Sequence, residues 1–257
     1  MTDTIKGKSI WLTGASSGIG YALAKLLIEQ HNFVVVSART RAKLEPLKTL
    51  GGDRVCVVPT DVADSENMKR AADKIGQHTD HLDMVIVCAG TCEYDDGPDL
   101  NIDMYRRVMQ TNFFGAVETI HVALPFLKRS EQKAQIIGVS SLTTVAPFPR
   151  AEAYGASKSA LEYFLLSLKV DLAPQNIDVF VVRPGFVDTP LTQKNDFEMP
   201  FLISSEQAAK TIVDGVSKRK MMIDFPKRMS YLLRTLNYFS SFWFKVVAPK
   251  LRKSDTL

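Results

Sequence analysis

Ser9-Ile10-Trp11-Leu12-Thr13-Gly14-Ala15-Ser16-Ser17-Gly18-Ile19-Gly20 begins as an apolar run, turns on glycines at 14, 18 and 20, and leads at Tyr21 into a segment of helical period that lasts to Gln30. Strand, glycine turn, helix is the order in which doubly wound α/β sheets build a phosphate site. Glycines let the backbone turn sharply and approach a pyrophosphate, and the free N–H groups and positive end of the new helix stabilise its charge. Gly14, Ser16, Ser17, Gly18, Ile19 and Gly20 are therefore the candidate cradle for a dinucleotide. Their spacing differs from the GxGxxG of the usual Rossmann fingerprint.

Outward from this turn, short β-branched runs alternate with longer segments of helical period. Residues 9–12, 33–37, 54–58, 84–87, 135–139 and 178–182 are the expected strands. Val34-Val35-Val36, Val85-Ile86-Val87 and Val179-Phe180-Val181-Val182 are continuous apolar runs, as strands buried on both faces must be. The pattern predicts an α/β fold: a doubly wound, Rossmann-like parallel sheet in a single domain over residues 1–224, followed by a basic amphipathic extension over 225–257. With 257 residues, 46% hydrophobic and 23% charged, the chain is long enough to bury a full core. The net charge of +4 is lopsided: Lys227, Arg228, Arg234, Lys245, Lys250, Arg252 and Lys253 have no acidic residue among them, so the rest of the chain is acidic on balance. Such a body has no electrostatic motive to bind nucleic acid.

The residues after the second strand indicate which dinucleotide is expected. An NAD site usually offers a carboxylate there for the ribose 2′-hydroxyl. Here the strand ends Ser37-Ala38-Arg39-Thr40-Arg41, and the next acid is Glu45. A guanidinium grips a 2′-phosphate with charge-assisted hydrogen bonds and a carboxylate repels it, so NADP(H) is the expected cofactor, with Arg39 its determinant.

Tyr154 and Lys158 stand four apart at the beginning of a helical pattern that continues to about residue 172, and residues four apart share a helix face. An ammonium beside a phenol stabilises the phenolate and is expected to lower the tyrosine pKa toward the range useful for acid–base work. Ser141 follows the strand at 135–139, at the end where such sheets place their ligands, and its hydroxyl can hydrogen-bond a carbonyl as it becomes an alkoxide.

At this point the sequence resembles the short-chain dehydrogenase/reductase family, from its start to about residue 223. The resemblance is carried by Thr13-Gly14-x-x-x-Gly18-x-Gly20, Asp61-Val62, Ala89-Gly90, Asn112, Ser141, Tyr154-x-x-x-Lys158 and Pro184-Gly185-x-x-x-Thr189. It implies NADP(H)-dependent hydride transfer between the nicotinamide and a carbonyl or secondary alcohol. Tyr154 would exchange the proton, Ser141 would orient the carbonyl, and Lys158 would tune Tyr154 and hold the nicotinamide ribose. Asn112 would interrupt a helix and hold a water in a proton relay. Asp61 and Val62 would meet the adenine, Ala89 and Gly90 would line the cofactor, and Pro184, Gly185, Val187 and Thr189 would meet the nicotinamide end or pyrophosphate. The family usually assembles as homodimers or tetramers through helices corresponding to residues 103–128 and 153–172. One departure stands out: Cys88-Ala89-Gly90 replaces the family's Asn-Ala-Gly, and a thiol lacks an amide's donor and acceptor pair.

Other residues carry less. Cys56, Cys88 and Cys92 offer neither a disulfide framework nor a zinc spacing, and they suit a reducing, cytoplasmic setting. His31, His78, His81 and His121 are too isolated for a metal site, so no metal is expected, and the acidic loop of Glu93, Asp95, Asp96 and Asp99 reads as a solvated rim. Nothing resembles a secretion signal or a membrane span. Residues 190–201, with Leu191, Phe197, Met199 and Phe201, stand where the resemblance implies a substrate lid and leave two readings open: an apolar lid that favours an apolar ketone or alcohol, or side chains that pack on the core. The extension, with Phe239, Phe242, Trp243 and Phe244 among basic residues, leaves two readings open: an amphipathic segment lying on an anionic membrane, or a helix packed on this subunit or a partner. Two further classes compete with the enzyme. A non-catalytic NADP(H) sensor would keep the glycine turn and lose Ser141, Tyr154 and Lys158; a membrane-peripheral scaffold would bind lipid whatever stands at 154.

Overall fold

The computed structural model describes residues 4–95, 99–195 and 197–251, so Asp96 of the acidic loop and Arg252 and Lys253 of the basic tail lie outside the described residues. The chain runs β1 (Ser9–Thr13), α1 (Gly18–Glu29), β2 (Phe33–Ser37), α2 (Glu45–Gly51), β3 (Val55–Val57), α3 (Ser65–Gly76), β4 (Met84–Val87), α4 (Ile102–Met109), α5 (Gly115–Leu127), β5 (Ala134–Val139), α6 (Glu152–Leu172), β6 (Ile177–Pro184), α7 (Ser205–Ser217), β7 (Met222–Phe225) and α8 (Lys227–Tyr238). The strands form one seven-stranded sheet in the order β3-β2-β1-β4-β5-β6-β7, with every pairing parallel.

Alternation along each strand sorts the core into two layers. Ile10, Leu12, Val34 and Val36 face α1 and α7, packing with Leu23, Leu27, Ile212 and Val213. Trp11, Val35 and Val85 face the other way, toward Met68, Ile75, Ile120, Leu161 and Leu165 of α3, α5 and α6. Helices on both faces are the doubly wound arrangement expected from the sequence. The order reverses between β1 and β4, and the crevice beyond their carboxyl ends is where such sheets bind ligands.

β7 was not foreseen, and it straddles the division drawn at 224/225. A third, smaller cluster lies beyond it: Met229 and Leu233 of α8 and Trp243 bury against Leu142 and Ala146, which follow Ser141. The Trp243 indole N–H donates to Pro147 O at 2.9 Å. Trp243 is therefore an interior residue, which for this side chain selects the reading of packing on the subunit over that of a membrane contact, whereas Phe239, Phe242 and Phe244 are exposed. No helix among the described residues is long and apolar enough to cross a membrane.

Candidate active site

A cleft of about 1210 Å3 follows the carboxyl ends of the strands, and its walls include every residue assigned from the sequence to the cofactor. At its centre the β1–α1 turn is packed to its limit. Gly14 has φ +77, and a Cβ there would come within 2.7 Å of Ala89 N; Gly18 has φ +53, and a Cβ there would come within 2.7 Å of Thr189 Cγ2. Both positions need glycine for conformation and for space. Ser17 caps α1 without a side-chain hydrogen bond, so the first-turn N–H groups keep no side-chain acceptor and face the cleft lined by Ser16, Ile19 and Gly20. This is a cradle suited to a pyrophosphate.

Beyond β2, Arg39 lines the cleft, whereas Arg41 turns away to pair with Glu45 at 2.8 Å. The nearest carboxylate after the strand is thus engaged elsewhere. Lys43 lines the cleft as well and was missed; the short helical turn over Arg41–Lys43 brings it round, and spacing alone does not signal such a turn. Asp61 and Val62 stand on the same wall, with Asp61 Oδ1 accepting from Ala63 N at 3.0 Å. Ala89 and Gly90 follow β4, and Pro184, Gly185, Val187 and Thr189 close the far side.

Asn112 is fully buried in a π-helical turn, Gln110–Phe114, that interrupts the helix between α4 and α5. Its Oδ1 accepts from Thr91 N at 2.7 Å, and its amide donates to Thr91 O at 2.8 Å and Ser157 Oγ at 2.9 Å. The side chain therefore staples the loop after β4 to α6, and both amide protons are spent on the chain. A Cβ on Gly90 would lie 3.3 Å from both Asn112 Oδ1 and Lys158 Nζ, which places these groups together at the cleft floor.

Tyr154, half-buried in the first turn of α6, lines the cleft, and the Ser141 hydroxyl stands close enough to favour its phenolate. Ser141 caps the short turn that follows β5, where its Oγ accepts from Thr143 N at 3.2 Å. Lys158 is buried; its Nζ donates to Val139 O at 2.8 Å and stands 5.8 Å from the Tyr154 ring centroid. Burial pushes the ammonium down to about 8. Burial also pushes the Tyr154 phenol well above its ordinary value, and the hydrogen bond from Ser141 only partly opposes it. The expectation that Lys158 depresses Tyr154 is thus corrected: desolvation of the phenolate is the larger effect and Lys158 is turned to a carbonyl, so the phenol stays protonated.

Thr13 Oγ1 accepts from Cys88 N at 3.3 Å and ties β1 to the loop after β4. Burial raises Cys88 and Cys92 to about 11, so both are thiols. Among the described residues no group of three potential ligands could hold a metal ion.

The family model for short chain dehydrogenase matches residues 8–199. The protein "11-beta-hydroxysteroid dehydrogenase-like 3" of Arabidopsis thaliana is 31% identical over 242 residues, 90% of this chain and 77% of that protein. An uncharacterized oxidoreductase of Myxococcus xanthus is 30% identical over 244 residues, 94% of this chain and 96% of that one. A solved short chain dehydrogenase from Burkholderia cenocepacia, in complex with NADP, has a TM-score of 0.83 at 22% identity, covering 96% of this chain and 100% of that chain. A 3-ketoacyl-(acyl-carrier-protein) reductase from Brucella melitensis, complexed with NADH, has a TM-score of 0.78 at 21% identity over 86% of this chain and 97% of that chain. Because the family match takes in β1 through β6, the glycine turn and the 141–158 cluster, the chain belongs to the short-chain dehydrogenase family and is an oxidoreductase acting between CH–OH and C=O groups.

Proposed function

We propose that the protein uses NADPH to reduce an apolar ketone, with Tyr154 as proton donor, Ser141 as the group that orients the carbonyl, and Lys158 and Asn112 as the groups that support them. The observation that carries this reading is the approach of the Ser141 hydroxyl to the Tyr154 phenol at one end of a cleft whose other end presents Arg39 and Lys43. When bound, NADPH supplies the hydride. Gly14 and the stretch from Ser16 through Gly20 would hold its pyrophosphate, Arg39 and Lys43 its 2′-phosphate, and Asp61 and Val62 its adenine. Ala89, Gly90, Pro184, Gly185, Val187 and Thr189 would line the remainder, and Lys158 would bind the ribose.

Burial leaves the Tyr154 phenol protonated at neutral pH, the form that donation to a carbonyl requires. The apolar preference is supported by Phe197 of the 190–201 segment, whose ring packs edge-on against Tyr94 and Phe186 with centroids at 6.3 and 5.9 Å. The name of the Arabidopsis relative, hydroxysteroid dehydrogenase-like, agrees with that class of substrate. The cytoplasmic placement rests on the odd and sparse cysteine set.

The test is calorimetric binding of NADPH and NADH, followed by NADPH oxidation against carbonyls from short ketones to long lipid ketones. Arg39→Ala is expected to lose NADPH affinity by about tenfold or more, the weight of a charge-assisted hydrogen bond, with NADH binding unchanged. Tight NADPH binding without turnover on any carbonyl would favour a sensor instead.

The reading includes two surfaces. Phe114, Tyr163 and Val170 are 49, 80 and 73% exposed on or beside the α5 and α6 helices, which supports assembly with a second copy through that side. On α8, Met229 and Leu233 face inward, while Tyr231, Leu232 and Tyr238 form the opposite stripe, continued by exposed Phe239, Phe242 and Phe244. With Lys227, Arg228, Lys245 and Lys250 around it and no acid from Pro226 to Leu251, this face suits an anionic lipid surface, and two copies of it would repel each other. Co-sedimentation with vesicles containing anionic lipid is expected, weakened by Tyr238→Ser with Phe242→Ser. Equal failure to bind anionic and neutral vesicles would sink the lipid assignment.

A further inference from the structure

We infer that a buried chain of hydrogen-bonded charges, running from α8 through Asp224, Arg183 and Glu162 to Thr144, is the device that positions Ser141. The inference rests on the reading of Ser141 as part of the reacting group.

Arg183, near the end of β6, has a side chain only 8% exposed. It makes a two-pronged contact with Asp224 of β7, Nε to Oδ1 and Nη2 to Oδ2 both at 2.8 Å, and its Nη1 donates to Glu162 Oε1 at 3.1 Å. Asp224 Oδ2 also accepts from Ser230 Oγ at 2.8 Å and Arg234 Nη2 at 3.1 Å, both on α8. Glu162 lies on α6, the helix that carries Tyr154. Its second oxygen, Oε2, accepts from Thr144 Oγ1 at 2.8 Å, and that same hydroxyl stands 2.9 Å from Ser141 O. Thr144 N donates to Ser141 O as well, at 3.2 Å.

Two features separate this chain from general scaffolding. Buried ion pairs are a weak source of stability, since apolar residues of the same volume often serve as well or better, so their use here is better accounted for by direction than by strength. None of Asp224, Arg183, Glu162 or Thr144 lines the cofactor cleft, yet the last link ends on the backbone of Ser141 while the previous link stands on the helix of Tyr154. The chain thus fixes the two hydroxyls relative to each other. The Ser141 hydroxyl opposes the rise of the Tyr154 phenol, so a Ser141 out of register lets the phenol rise further.

The decisive variants are Thr144→Val, which keeps the shape and removes one hydroxyl, and Glu162→Gln, which keeps the shape and removes the charge. Both are expected to lower kcat by about tenfold through misplacement of Ser141, with the ketone KM and the NADPH dissociation constant little changed. The rising limb of the reverse alcohol oxidation, which needs the phenolate, moves to higher pH, and Thr144→Ser restores both properties. Ser141→Ala is run beside them. If Ser141→Ala loses turnover while Thr144→Val keeps the parent kcat and pH profile, the positioning role is overturned and the site reading stands. If Ser141→Ala keeps full turnover, the site reading itself fails. An equal fall in kcat and NADPH affinity in Thr144→Val, with a lowered melting temperature, would make the chain a support for the whole domain and would also overturn it. Should Glu162→Gln fail to fold, Thr144→Val decides alone.

Discussion

Exchanging Tyr154 for Phe is expected to cost ketone reduction about a thousandfold, within the range that a positioned proton donor contributes, while leaving NADPH affinity and melting temperature near the parent values. The substitution removes one oxygen and keeps the ring, so packing at the start of α6 is preserved. The phenol lines the cleft near the Ser141 hydroxyl, and burial keeps it protonated above neutral pH. Reduction should accordingly keep its Tyr154-dependent component throughout the neutral range. Single-turnover NADPH oxidation, followed by absorbance with the ketone in excess, separates chemistry from product release. Turnover unchanged in Tyr154→Phe would mean that the proton comes from elsewhere and would return the sensor and scaffold readings to contention.

The second large effect concerns stability. Asp224→Asn leaves Arg183 buried with Glu162 as its remaining charged partner, and it weakens the contacts of Ser230 and Arg234. Removing one partner of a buried pair typically costs about 3 to 5 kcal/mol; with Glu162 still in place the lower end applies, and about 3 kcal/mol corresponds to a fall of roughly 6 to 12 °C in Tm for a domain of this size. Burial pulls the Asp224 carboxyl upward, but the hydrogen bonds from Arg183 and Ser230 outweigh it and hold the carboxyl below its ordinary value. Its stabilisation is therefore fully present above the unfolded value near 4 and is lost as pH falls through the lower folded value. The gap between parent and Asp224→Asn should be full at pH 7 and close in acid. A gap that persists unchanged at pH 3 would assign the effect to packing.

What could be read from the sequence is what local spacing encodes. The glycine turn announces itself because three glycines follow an apolar run and precede a helical period, and Tyr154 and Lys158 announce a shared face by standing four apart. Other features depend on contacts distant in sequence. β7 escaped notice because Met222-Ile223-Asp224-Phe225 is short and has a carboxylate in its middle, one that is acceptable only because Arg183 lies opposite on β6. Nothing local in the extension says that Met229, Leu233 and Trp243 meet Leu142 and Ala146, more than eighty residues back in the chain, so Trp243 could be assigned to either side. The pKa of Tyr154 was misjudged for a related reason: the ammonium four residues away was visible, but the extent of burial was not.

The pairing of β1 with β4 bears on how the chain reaches this state. Two strands and three helices separate them in sequence, yet Gly14 and Ala89 must meet before the crevice between them exists. Contacts between residues so distant in sequence form slowly, because the loop must close before the contact repays it. The cofactor cradle is on this account complete only after that loop of chain has closed. A dinucleotide bound there can do little to hasten folding; it acts by retarding the opening of a structure already made.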